Sequence, residues 1–172
     1  MKGHFVLSSG RHSDVYVEKF RALEKPPLAM TLGRELADRF RDKAVDVVLS
    51  PALGAIVLGF ATATHLAARF IVAEREQGRM VLRRGFEIAP GEKVLVIEDV
   101  VTTGLSLNET LDLVPPGELV GIGVLVDRSG TSDERVTALA RVDASSWEKA
   151  DCPLCAEGIP ETAPGSRHLS AR

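Results

Sequence analysis

The stretch Val94-Leu-Val-Ile-Glu98-Asp99-Val-Val-Thr102-Thr103-Gly104-Leu105-Ser106 decides how this chain is read. An apolar run leads straight into two adjacent acids, and a turn rich in threonine, glycine and serine follows. Such a run suits a strand buried on both faces of a parallel sheet. Acids at its C-terminal end then sit on the rim where open α/β sheets place their ligands. Hydroxyls, backbone N–H groups and a following helix start offer the chemistry of a phosphate cradle. Carboxylates beside such a cradle point to a ligand with sugar hydroxyls next to a phosphate, with or without a metal ion. The plain alternative is a strand-turn-helix whose Asp, Thr and Ser only cap the helix.

On either side of this stretch, strand and helix patterns alternate. Residues 28–42 carry Leu28, Leu32, Leu36, Ala37 and Phe40 at helical spacing, and 45–49 form a short apolar strand ending in Ser50-Pro-Ala-Leu-Gly-Ala55. Residues 55–69 read as a helix, 70–73 as a strand and 75–87 as a charged loop or hairpin. The opening strand spans 93–98 and its helix 106–114, stopped by Pro115-Pro116-Gly117. A strand over 119–126 runs into Asp127-Arg128-Ser129-Gly130, and 136–142 reads as an edge strand. Ahead of all this, Val15-Tyr16-Val17 carries a strand signal. From residue 145 onward the polar, proline-containing tail has little capacity to form a core. The expectation is an α/β fold with a doubly wound, mostly parallel sheet. Loops 50–55, 98–106 and 127–130 then project from one rim, where three polar loops together make a site.

A chain of 172 residues fits one domain, large enough to bury about 70% of its unfolded surface. Hydrophobic residues at 45% and charged residues at 26% are ordinary for a globular protein. A net charge of -3 gives no general attraction to nucleic acid. No apolar run reaches the length of a membrane span, and Met-Lys-Gly-His-Phe lacks the apolar core of a signal peptide. The expected location is the cytoplasm, with neither nucleic acid nor membrane as partner.

Two cysteines occur, in Cys152-Pro-Leu-Cys155. One Cys-x-x-Cys is half of a zinc site, a redox pair or two free thiols, and two reduced bystander thiols is the reading favoured here, ahead of zinc and then redox. A structural zinc needs four ligands. His4, His12 and His65 lie far away in sequence, so a zinc site here would draw its remaining ligands from His168 or from a partner subunit's cysteines.

Taken singly, each loop has two readings. The 50–55 turn lies between strand and helix and holds an anion such as pyrophosphate through its N–H groups, or is only a connection. Glu98 and Asp99 bind vicinal hydroxyls and stabilise positive charge developing on a sugar ring, or are a charge pair at a helix start. Arg128 offers a planar fork to a carboxylate or carbonyl edge, or a surface ion pair. Arg69, Arg75, Arg79, Arg83 and Arg84 face only Glu74 and Glu76 within their segment, as a mobile cationic lid or a solvated hairpin.

Together these residues resemble the type I phosphoribosyltransferases. Residues 94–106 are similar to the family's motif for phosphoribosyl pyrophosphate (PRPP). Gly3-His-Phe-Val-Leu-Ser-Ser-Gly-Arg-His-Ser13-Asp-Val-Tyr16 resembles the N-terminal segment of the orotate-using members, where a hood covers the base. The 50–55 turn resembles the family's pyrophosphate loop. Asp127-Arg128-Ser129-Gly130, Cys-Pro-Leu-Cys and Pro164-Gly-Ser-Arg167 look like one bacterial or archaeal branch. The resemblance covers nearly the whole chain. It implies one domain over 1–172, with a small N-terminal/C-terminal hood: a hood segment over about 1–25, a core over about 26–144 and a tail over 145–172.

The implied activity is transfer of ribose 5-phosphate from PRPP to orotate, with Mg²⁺ as cofactor and no protein side chain assured as its ligand. The PRPP site would comprise Ala52, Leu53, Gly54, Glu98, Asp99, Val100, Val101, Thr102, Thr103, Gly104, Leu105 and Ser106. The two acids serve the ribose, 101–106 the 5-phosphate and 52–54 the pyrophosphate. Thr102 and Arg128 would contact orotate. Glu98, Asp99 and Arg75 are the catalytic candidates, and a homodimer sharing loop 74–87 is implied. Arg79, Arg83 and Arg84 are further candidates for the pyrophosphate.

The chain departs from the family at Ser8, where a lysine is usual, and at Leu53-Gly54, where Tyr-Lys is common. Loop 74–87 has arginines in place of lysine and histidine, Leu105 replaces a small residue, and the helix expected ahead of the hood is not in this sequence. A phosphoribosyltransferase for another base and a non-catalytic PRPP-binding regulator therefore stand as alternatives.

Overall fold

The computed structural model of the chain describes residues 1–7, 9–130 and 133–164. Ser8 and the Gly-Ser-Arg of the tail, together with His168, lie outside them. Nine strands and five α-helices alternate along the described residues. In order they are β1 (Lys2–Val6), β2 (His12–Val15), α1 (Phe20–Leu23), α2 (Pro26–Asp38), β3 (Val47–Pro51), α3 (Ile56–Leu66) and β4 (Arg69–Glu76). There follow β5 (Arg79–Leu82), β6 (Val94–Val101), α4 (Leu105–Leu111), β7 (Leu119–Asp127), β8 (Val136–Arg141), β9 (Ser146–Trp147) and α5 (Pro153–Ala156). They divide between two compact units, Lys19–Val142 and a smaller one made of Met1–Glu18 with Asp143–Arg172.

The larger unit holds a six-stranded sheet in the order β5-β4-β3-β6-β7-β8. All neighbours are parallel except β4 and β5, which form an antiparallel hairpin at one edge. Strands that are apolar on both faces must be covered on both. On one face Val47, Leu49, Ile71, Val94, Val96, Ile122 and Val124 form a core, with Leu107 and Leu111 of α4 packed against it. Ile97 turns to the other face, where Leu36 of α2 and Phe40 lie close around Gly123. The chain is thus a doubly wound, mostly parallel α/β fold.

Element ends shift for local reasons. β6 runs through both acids to Val101, because Val100 and Val101 pair with Val126 and Asp127 of β7. α2 begins at Pro26, before the first leucine of its apolar stripe, because proline has no N–H to leave unbonded in a first turn. The charged segment after residue 75 is partly hairpin, with Gly78 at φ +83° in its turn.

The smaller unit is a three-stranded antiparallel sheet in the order β1-β2-β9. The first strand pair comes from His12–Val15, upstream of the expected Val15-Tyr16-Val17 signal. As far as residue 164, the tail forms more structure than its polarity suggested. It supplies β9 and α5, and Thr162 exchanges backbone hydrogen bonds with His4 and Val6 at 2.9 Å. Arg11 donates to the Ser146 hydroxyl and carbonyl, and the Ser13 hydroxyl donates to Ser145 O at 2.8 Å. Polar pairing, rather than apolar bulk, fixes this segment.

Candidate active site

Glu98 and Asp99 occupy the last turns of β6, with 5% and 4% of their surfaces exposed. Their carboxylates fold back on the strand: Asp99 N–H donates to Glu98 Oε1 at 3.1 Å, and Val100 N–H to Asp99 Oδ1 at 2.6 Å. Glu98 Oε2 is buried without a hydrogen-bond partner. Burial, and then the adjacent charge of Asp99, push the Glu98 carboxyl up from its ordinary 4.5 to about 8. Two buried acids one residue apart therefore resist carrying two negative charges.

Lys19 answers the other acid. Its ammonium forms an ion pair with Asp99 Oδ2, and both groups are largely enclosed. Sequence reasoning missed Lys19, since a single lysine beside a short helix carries no pattern of its own. Gly54 completes the arrangement. A Cβ there would fall 1.8 Å from Asp99 Oδ2 and 2.7 Å from Lys19 Nζ. Gly54 thus leaves room for a lysine and a carboxylate arriving from elsewhere in the chain. The neighbouring Ala52–Leu53 peptide bond is cis, and Leu53 is exposed.

Past Val101 the chain turns through Thr102, Thr103 and Gly104 into α4. Gly104 takes φ +74°, a conformation that favours glycine. The Thr103 hydroxyl accepts from Leu105 N–H at 3.5 Å, and the Leu105 side chain is exposed. A cavity of about 320 Å³ opens here, lined by Val101, Thr102, Thr103 and Gly104 on one side and by Asp127 and Ser129 on another. Asp127, at the end of β7, accepts from Ser129 N–H at 2.9 Å and from its hydroxyl at 2.7 Å. Arg128 follows it, its backbone N–H bonded to Val101 O at 2.8 Å. The strand-end loops 98–104 and 127–129 thus meet at one rim, bridged by that bond.

Four of the five arginines of this segment are paired with acids of the same unit. Arg75 is clamped by Glu109 of α4, Arg84 by Glu74 at 2.5 Å, Arg83 by Glu76 at 3.4 Å and Arg69 by Glu92 at 2.8 Å. Glu92 and Glu109 lie outside the local sequence window, which is why the segment reads as more cationic than it is.

A phosphoribosyl transferase domain model matches residues 21–154, and the chain belongs to that family. Its relatives narrow the class further. Over 173 residues it is 47% identical to the orotate phosphoribosyltransferase of Caldanaerobacter subterraneus subsp. tengcongensis, covering 98% of this chain and 91% of the relative. Among solved structures, the orotate phosphoribosyltransferase of Aeropyrum pernix superposes with a TM-score of 0.63 at 26% identity, over 83% of this chain and 87% of that one. The Mycobacterium tuberculosis orotate phosphoribosyltransferase in complex with PRPP gives a TM-score of 0.58 at 25% identity, over 74% and 81% of the two chains.

Proposed function

We propose that this protein transfers the ribose 5-phosphate of PRPP to orotate, forming orotidine 5′-monophosphate and pyrophosphate in pyrimidine biosynthesis. The observation that carries this reading is the buried Glu98–Asp99 pair, held at the end of a central strand and running directly into the Thr102-Thr103-Gly104 turn. Near neutral pH the Glu98 carboxyl keeps its proton, and the Asp99 carboxylate faces the Lys19 ammonium. One donor and one acceptor side by side suit a vicinal diol, so the two acids hold the ribose hydroxyls. The turn over 101–106 takes the 5-phosphate through backbone N–H groups and the hydroxyls of Thr103 and Ser106. Residues 52–54 take the pyrophosphate. Thr102 and Arg128 face orotate, the guanidinium toward a carboxylate or ring carbonyl.

In the reaction the C1–pyrophosphate bond breaks as the ring gains oxocarbenium character, and N1 of orotate attacks C1. The Asp99 carboxylate would stabilise that developing positive charge. Little covalent chemistry is asked of the protein, and positioning supplies most of the rate. Mg²⁺ is the expected cofactor. The buried Asp99 carboxylate is a hard oxygen donor that suits it and would help hold it, while the protonated Glu98 is left to the ribose hydroxyls. When bound, it neutralises charge on the leaving pyrophosphate. The protein works as a cytoplasmic homodimer in which hairpin 74–87, carrying Arg75, is shared with the neighbouring subunit's site.

The test is direct: protein, PRPP, Mg²⁺ and orotate are mixed and the orotate absorbance is followed. Consumption of orotate with release of pyrophosphate supports the reading. Turnover with adenine or another base but not with orotate overturns it.

A further inference from the structure

The smaller unit contains a cluster that the transferase chemistry does not use. His4 on β1, His12 on β2, and Cys152 and Cys155 flanking the start of α5 bring one ligand atom each to within 4.8 Å of one another. His4 Nε2 lies 2.8 Å from His12 Nδ1, and 3.6 Å from the Sγ of both Cys152 and Cys155. Cys155 Sγ is 3.3 Å from His12 Nδ1. Ligand atoms on a tetrahedral metal, with bonds of about 2.0–2.3 Å, sit roughly 3.3–3.8 Å apart. The three nitrogen–sulfur separations above fall in that range, the nitrogen pair is shorter, and all four atoms lie within 4.8 Å of one another.

Second contacts orient both rings. His4 Nδ1–H donates to Ile159 O at 2.6 Å, which leaves Nε2 as a lone pair facing the sulfurs. His12 turns its Nε2 toward the Glu161 carboxylate at 3.7 Å and its Nδ1 inward. A carbonyl or carboxylate behind each ligating imidazole is the arrangement that fixes tautomer and ring angle at metal sites. Neither ring needs such a partner to fill space.

The unit's composition gives an independent reason for a metal. Among its described residues the buried hydrophobic ones are Phe5, Leu7 and Cys152, whereas His4 and His12 are buried polar groups, 4% and 1% exposed. A unit this poor in apolar core needs a covalent or metal staple to hold together. Buried imidazoles and thiols are unfavourable unless they are bonded to something. Two thiolates and two imidazoles select Zn²⁺ among common divalent ions, and four protein ligands with no open position make the site structural rather than catalytic.

We propose that His4, His12, Cys152 and Cys155 bind one Zn²⁺, tying the N-terminal hairpin to the C-terminal segment within the smaller unit. Binding displaces the thiol protons and involves no oxidation. The ligands come in pairs from opposite ends of the chain, so the ion also closes the smaller unit's two segments onto each other.

The experiment uses the full chain, untagged and purified without chelator, with metal content read by mass spectrometry. About one zinc per chain is expected, falling below roughly a tenth of that in Cys152→Ser/Cys155→Ser. Because loss of the ligands can itself unfold that variant, the wild-type protein is also stripped with chelator and reloaded with Co²⁺. The intense visible bands and thiolate charge-transfer absorption of tetrahedral cobalt should appear at one equivalent. A folded wild-type protein that holds no zinc and gives no cobalt bands overturns the proposal. So does an intact mass showing Cys152 and Cys155 joined as a disulfide in the protein as isolated.

Discussion

Replacing Glu98 by glutamine should change how the stability of this protein depends on pH. In the folded chain burial and the neighbouring Asp99 raise the Glu98 carboxyl to about 8, against 4.5 for the same group in an unfolded chain. Between these values the folded state holds a proton that the unfolded state has released, so stability falls as pH rises. The contribution is fully present below pH 4.5 and is lost as pH passes about 8. At 1.36 kcal/mol per decade of proton affinity, the full span is on the order of 4–5 kcal/mol. From pH 6 to pH 9 the wild-type protein should therefore lose roughly 2–3 kcal/mol relative to Glu98→Gln, which cannot ionise there. Urea unfolding of both proteins at matched ionic strength, at half-unit steps of pH, measures the difference. Parallel stability curves across that range would refute the reasoning and mean that water or a cation already solvates the carboxylate.

Other perturbations test neighbouring parts of the site. Gly54→Ala places a methyl group where Asp99 and Lys19 meet, and displacing the carboxylate by about 1 Å should lower kcat/KM by roughly 100-fold while the chain stays folded; steady-state kinetics with circular dichroism separates the two effects. Asp99→Asn removes a charged contact worth about 1.5–3 kcal/mol, so kcat should fall by roughly tenfold or more, and unchanged kinetics would make the acid structural only. Mixing Asp99→Asn subunits with Arg75→Ala subunits should restore part of the activity that each homodimer has lost, if the hairpin serves the neighbouring site. Activity of the mixture no higher than the sum of its parts would place Arg75 in its own subunit's chemistry or outside it.

How much was legible from sequence depended on how local the physics was. The apolar run over 94–97 and the alternation of strands with helices announce a parallel sheet, because a strand buried on both faces has no room for polar residues. The acid pair and the Thr-Thr-Gly turn were visible for the same reason: the chain itself fixes their order at the strand end. Lys19 was not, because its role comes from the fold placing it against Asp99, across 80 residues of chain. Glu92 and Glu109 went unseen as partners of Arg69 and Arg75 for the same cause. The tail was undervalued because hydropathy detects burial of apolar bulk, while β9 and α5 are held by backbone pairing and by Arg11. Cys152 and Cys155 looked short of ligands because His4 and His12 join them only after both ends of the chain meet in one small sheet. His65, by contrast, stays with α3, its ring nitrogen 3.2 Å from Met30 O.

The base-specificity assay bears most directly on the proposed activity. With PRPP and Mg²⁺ in excess, the protein should consume orotate and form orotidine 5′-monophosphate and pyrophosphate in equal amounts, with adenine, guanine and uracil inert. Binding of PRPP with no turnover of orotate, or turnover of a purine in its place, would contradict it.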